Sequence, residues 1–218
     1  MQTESGTGVS DGVTFAQALD RLKRNGSTVL VVGSSEQAAH EVACQRLLGT
    51  HTDSERHRLA VTARDATYRG HGCVCESTDA RTRHIEHTVQ PAQEPTVETA
   101  GRPLATLGTD VIDAIREIES TEGGLDPAEL RVCVDSIVPL LSEYDPEDVF
   151  KLLHITTTTV KSTTGMGHFH LPLARNHDAV NLFEPLFDAV VEVRRRDDRV
   201  EQRWHLRDYT VQSEWLEL

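Results

Sequence analysis

Residues 130–137, Leu-Arg-Val-Cys-Val-Asp-Ser-Ile, form a short apolar run that ends in an acid and a hydroxyl. Turn signals bound it: Gly123-Gly124-Leu125-Asp126-Pro127 ahead, and Pro139 behind, followed by a helical pattern that starts near Asp145-Pro146. A strand with helices on both faces has no solvent side to keep polar, so it reads as almost continuously apolar. One such strand constrains the chain to an α/β sheet sandwiched by helices. Its acid, Asp135, then stands at the carboxyl end, where open α/β sheets bind their ligands.

The flanking segments agree with that class. Apolar spacing predicts helices over Phe15–Arg24, Glu36–Leu48, Leu104–Glu119, Pro146 to about Ser162, and Asn176–Phe187. Strands are expected at Thr28–Val32, Arg58–Thr62, His168–Leu171 and Asp188–Arg194. Asp197-Asp198 reads as a hairpin turn returning an antiparallel strand over Gln202–Arg207, with Ser213–Leu218 as a last edge strand or tail. Met1–Gly12 is expected to be a disordered lead, and residues 13–218 a single domain. Residues 63–103 read as an irregular insertion with a strand at His84–Val89. The expected fold is therefore a mostly parallel sheet flanked by helices, closed by a C-terminal antiparallel hairpin.

Charge narrows the partners. Formal net charge is -13, from 35 acids against 22 bases, and only Lys23, Lys151 and Lys161 among those bases are lysine. Such a chain suits a very salty cytoplasm, because at 1 M salt the Debye length is only about 3 Å and acid–acid repulsion is screened. Broad electrostatic binding to nucleic acid needs a basic face. The one basic cluster, Arg194-Arg195-Arg196 with Arg199 and Arg203, is interleaved with Asp197, Asp198 and Glu201 and reads as a solvated hairpin. No apolar run approaches the ~20 residues of a membrane span. A cytoplasmic location is expected. Of the four cysteines, Cys44 and Cys133 sit in apolar periodic segments and read as small core residues, and no structural disulfide is expected.

The turn after the first strand is where a phosphate loop would lie. The P-loop pattern is G-x-x-x-x-G-K-[ST]; the chain has Gly33-Ser34-Ser35-Glu36-Gln37-Ala38-Ala39-His40. The first glycine is present, the second glycine and the lysine are missing, and Glu36 puts an acid where phosphate would rest. A lysine–phosphate hydrogen bond is worth about 1.5–3 kcal/mol, and an acid adds repulsion to that loss. His168 and His170 share one strand face and, with Asp135 on a neighbouring strand's end, are candidate metal ligands. His71, Cys73 and Cys75 lack the second ligand pair of a zinc site.

In its order of elements the chain resembles the RecA-type ATPase superfamily, in particular the KaiC-like proteins of archaea. The resemblance is carried by Val29–Gly33, the acid-ended strand Val132–Asp135, the histidine-bearing strand His168–His170, and Phe187-Asp188-Ala189-Val190-Val191-Glu192-Val193 with its closing hairpin. It also extends to a group of haloarchaeal proteins with no assigned function. It implies a nucleotide site at Gly33, Ser34 and Ser35, with Asp135 and Ser136 at the magnesium position. The lysine and hydroxyl positions of that family fall on Ala38 and Ala39, which can do neither job. Glu76 and Glu86 are in range of its catalytic glutamate but stand in no motif. The expectation is a non-hydrolysing regulatory or scaffolding protein that works through protein partners or self-assembly, without a dedicated cofactor. Two alternatives stand beside it: a weak ATP/Mg sensor or slow ATPase using Asp135, and a metal enzyme built on the histidines.

Overall fold

The computed structural model describes residues 8–33, 37–49, 55–65, 80–89, 103–207 and 211–218. In chain order the elements are α1 (Gly8–Asn25), β1 (Ser27–Val32), α2 (Gln37–Leu48), β2 (His57–Arg64), β3 (Thr82–Thr88), α3 (Leu104–Glu122), β4 (Leu130–Asp135), α4 (Val138–Glu143), α5 (Pro146–Ser162), β5 (Met166–Leu171), α6 (Asp178–Phe183) with a 3-10 turn (Glu184–Leu186), β6 (Ala189–Arg196), β7 (Arg199–Leu206), β8 (Val211–Gln212) and β9 (Leu216–Glu217). They build one nine-stranded sheet in the order β3-β2-β4-β5-β1-β6-β7-β8, with β9 also on β7. β3 to β6 along that order pair in parallel, and β6–β7, β7–β8 and β7–β9 are antiparallel. The fold is the expected one: a mostly parallel sheet flanked by helices, ending in an antiparallel hairpin.

Every residue of β1, β4 and β5 is buried, which is why β1 and β4 read as largely apolar runs, while β5 buries two histidines alternating with Phe169 and Leu171. Leu30, Val32, Val132, Val134 and Phe169 face the larger core beneath α3, α5 and α6. Val29 and Val31 face the other side, against Ala39 and Ala43 of α2 and Ala18 of α1. The connection from β1 therefore crosses one face through α2, and those from β4 and β5 cross the other. Strand connections diverge at β1 and β5, which makes the carboxyl edge there a topological switch point.

Two local differences from expectation have physical reasons. α6 stops at Phe183 and tightens into a 3-10 turn because Pro185 has no N–H to give the helix. α4 forms although Pro139 reads as a breaker, since proline is tolerated in a first helical turn. α5 runs to Ser162 as expected, through Thr156–Thr159, where the Thr157 and Thr159 hydroxyls donate to the carbonyls of His154 and Ile155 at 3.0 and 2.9 Å. α1 begins at Gly8, inside the segment expected as a lead. Among the described residues no helix is long and apolar enough to cross a membrane.

Candidate functional site

Strand alternation turns His168 and His170 of β5 to the same face, and the sheet register sets Cys133 of β4 directly beside His168. That face lies under α2, where His40 and Cys44 are one helical turn apart and so point the same way. Five chemistry-bearing side chains thus meet between α2 and the centre of the sheet. Cys44, Cys133 and His170 are 0% exposed, and His40 and His168 are 2% exposed.

Cys44 Sγ lies 3.5 Å from Cys133 Sγ and 3.3 Å from His168 Nε2. One ligand atom from each of Cys44, Cys133, His168 and His170 falls within 4.8 Å of all the others. A tetrahedral zinc with bonds of about 2.3 Å to sulfur and 2.0–2.1 Å to nitrogen needs ligand–ligand edges of roughly 3.3–3.8 Å. The cluster is close to that size already, and adjustments of about an ångström would complete it.

His40 supplies the outer layer. Its Nε2 is 2.9 Å from the Gly33 carbonyl oxygen and its Nδ1 is 3.0 Å from His170 Nδ1. The carbonyl only accepts, so His40 Nε2 carries a proton; in the neutral pair His40 Nδ1 accepts and His170 Nδ1 donates. His170 then presents the Nε2 lone pair. This is how a second histidine fixes the tautomer of a metal-binding one.

The residues singled out in the sequence are only partly brought together. Gly33, His170 and Asp135 stand at the carboxyl ends of β1, β5 and β4, which are neighbours in the sheet. The Gly33 N–H donates to the Leu173 carbonyl at 2.8 Å. Gly33 has φ +139°, and a Cβ there would lie 2.2 Å from the Val193 carbonyl oxygen, so sheet packing accounts for this glycine without a phosphate. Asp135 is 2% exposed. The Ser136 hydroxyl accepts from the Val138 N–H at 3.1 Å, at the start of α4. Glu86 of the edge strand β3 pairs with Arg64 of β2. Ser34, Ser35, His71, Cys73, Cys75 and Glu76 lie outside the described residues.

Sequence reasoning took Cys44 and Cys133 as core. They are buried, but 89 residues of chain separate two thiols that touch, and no local spacing announces that. The one available signal was the helical offset of His40 and Cys44 opposite a strand carrying two same-face histidines.

None of the curated proteins matches the chain. A family model matches residues 26–193, which reach from the residue before β1 into β6 and contain the whole cluster. That match covers well over half the chain, which therefore belongs to a family of unknown function, DUF7504.

Proposed function

We propose that this protein is a metal-dependent regulatory or scaffolding protein, in which Cys44, Cys133, His168 and His170 hold one zinc-class ion. The observation that carries the reading is the meeting of four ligand atoms within 4.8 Å in the interior. Two thiolates and two imidazoles favour soft or borderline metals, zinc or copper(I), over magnesium or calcium. All four positions of such an ion are filled by protein and all four side chains are buried, the pattern of a structural site and not of a catalytic one with an open position. Metal binding would pin α2 to β4 and β5. Its free energy would then be free energy of folding, so occupancy would govern the surface that α2 and its loops offer a partner. The hydrogen bond of the Gly33 N–H to Leu173 and the missing loop lysine support a protein that does not hydrolyse nucleotide.

Elemental analysis of untagged protein tests this directly. One zinc or copper per chain is expected, lost in the Cys44→Ser/Cys133→Ser double variant. Substoichiometric metal in protein purified without chelator and re-incubated with zinc would sink the proposal. The position of Asp135 on the same carboxyl edge of the sheet as Gly33, with β5 between them, favours one second reading, a nucleotide sensor. Saturating Mg·ATP at 100 times its dissociation constant would then add about 2.7 kcal/mol of stability and raise the melting temperature. We expect no such rise.

A further inference from the structure

A cavity of about 350 Å³ lies between α1, the last turn of α2 and the sheet. It is at the amino ends of β1, β4 and β5, marked by Ser27, Arg131 and Met166, and so away from the edge that carries Gly33 and Asp135. Its size is within the usual range for small-molecule pockets, roughly 300–1,000 Å³. One wall is apolar: Phe15, Leu19 and Leu22 of α1, Val29 of β1, Trp204 of β7 and Leu216 of β9.

The other wall is cationic. Lys23, Arg46, Arg56 and Arg131 all line the cavity, in a chain with 35 acids against 22 bases. None of the four makes an ion pair with a carboxylate among the described residues, whereas Arg81, Arg83, Arg175, Arg194 and Arg203 all do. Arg131 is only 6% exposed. Its Nε donates to the Ala128 carbonyl at 3.1 Å, and Nη1 donates to the Leu47 carbonyl at 3.2 Å and faces Met166 Sδ at 2.9 Å. These neutral acceptors hold the guanidinium in place without balancing its charge, and Nη2 has no partner among the described residues. Burial first, and then the guanidiniums of Arg56 and Arg58, lower its pKa to about 10, so it is still cationic at neutral pH. Ser27 also lines the cavity, and its hydroxyl oxygen is fully buried with no hydrogen-bond partner among the described residues. Uncompensated buried charge and an unused hydroxyl are costly unless something satisfies them.

We infer that this cavity binds an anionic amphiphile: one aliphatic chain laid along the apolar face of α1, with a carboxylate or phosphate head held by Arg131 and Arg56. Charge complementarity selects the head group and the α1 wall selects the tail. The inference is independent of the metal proposal, since no ligand of that cluster lines the cavity.

The test is titration of the full chain, carrying Trp215→Phe so that Trp204 alone reports, with decanoate, decyl phosphate and decanol below their micelle concentrations. Expected are saturable changes in Trp204 emission with the two anions, and binding of decanol at least ten-fold weaker. Whichever anion binds more tightly identifies the head group. Arg56→Gln should weaken both anions about ten-fold and leave decanol unchanged, and Leu19→Phe/Leu22→Phe, which fills the tail wall, should abolish all three. No saturable response to either anion in the parent protein overturns the inference. So does decanol binding as tightly as decanoate.

Discussion

Gly33 is held by three separate demands. Its φ of +139° is one that side-chain-bearing residues rarely adopt, a Cβ would meet the Val193 carbonyl oxygen, and its own carbonyl receives His40. Gly33→Ala must therefore strain the end of β1 and push β6 away, at a cost of at least about 1–3 kcal/mol. Urea denaturation of the variant measures this, and an unchanged midpoint would contradict the packing described. His205 carries a pH prediction. Burial chiefly, then Arg175 and Arg203, hold its imidazole below the ordinary value, against the weaker pull of Glu192. The unfolded chain thus takes up this proton at a higher pH than the folded one, and stability rises with pH wherever the unfolded state binds more protons. The contribution is intact above the ordinary value of about 6.5 and is lost as pH falls through it toward the depressed folded value. Melting temperatures followed from about pH 8 down to about pH 5 should fall less steeply in His205→Gln than in the parent. Parallel curves would show that another group dominates.

Packing between elements sets larger effects. Phe169 of β5 is fully buried and meets Phe187 at a ring separation of 5.2 Å, where β5 supports the approach to β6. Phe169→Ala should cost about 3–5 kcal/mol, because the close-packed core can collapse only in part around the void. Ile155 on α5 is 46% exposed, and its change to alanine should stay within about 0.5 kcal/mol. Chemical denaturation of the two variants checks the contrast. β4 and α5 were readable in the sequence because each carries its own local signal, a continuous apolar run in one and Asp145-Pro146 followed by acids in the other. α4 was not, since Pro139 gives the same signal whether it stops a chain or starts a helix. The hairpin arginines were readable as a group but not in their partners: Arg194 faces Glu201, Arg203 faces Glu192, and both guanidiniums lie over the Trp215 ring, at 3.7 and 4.5 Å. The candidate site divides in the same way. The shared face of His168 and His170 follows from alternation alone, whereas the approach of Cys44 to Cys133 depends on where α2 crosses the sheet. That crossing follows from strand order, and no spacing within either segment encodes it.

At the scale of the whole chain, surplus negative charge is the dominant long-range force. Thirteen acids are left over after every base is matched, the difference between 35 and 22. Ion pairs such as Arg81–Glu55 and Arg199–Glu217 lie at the surface and are worth roughly 0–1 kcal/mol each, so they offset little of the repulsion among the remainder. Salt acts on both terms. It weakens the exposed pairs slightly, and it shortens the Debye length from about 10 Å at 0.1 M to about 3 Å at 1 M. The repulsive term spans many pairs at long range, and the attractive one a few pairs at contact. Screening should therefore remove more repulsion than attraction, and the melting temperature should climb between about 0.1 and 1 M potassium chloride and level off above. Replacing exposed acids that make no ion pair among the described residues, such as Asp113 and Glu119 on α3, by asparagine and glutamine should raise the low-salt melting temperature and flatten the climb. A melting temperature that is flat or falls with salt would mean that the surface pairs outweigh the surplus, and would count against the expectation of a high-salt setting drawn from the charge balance.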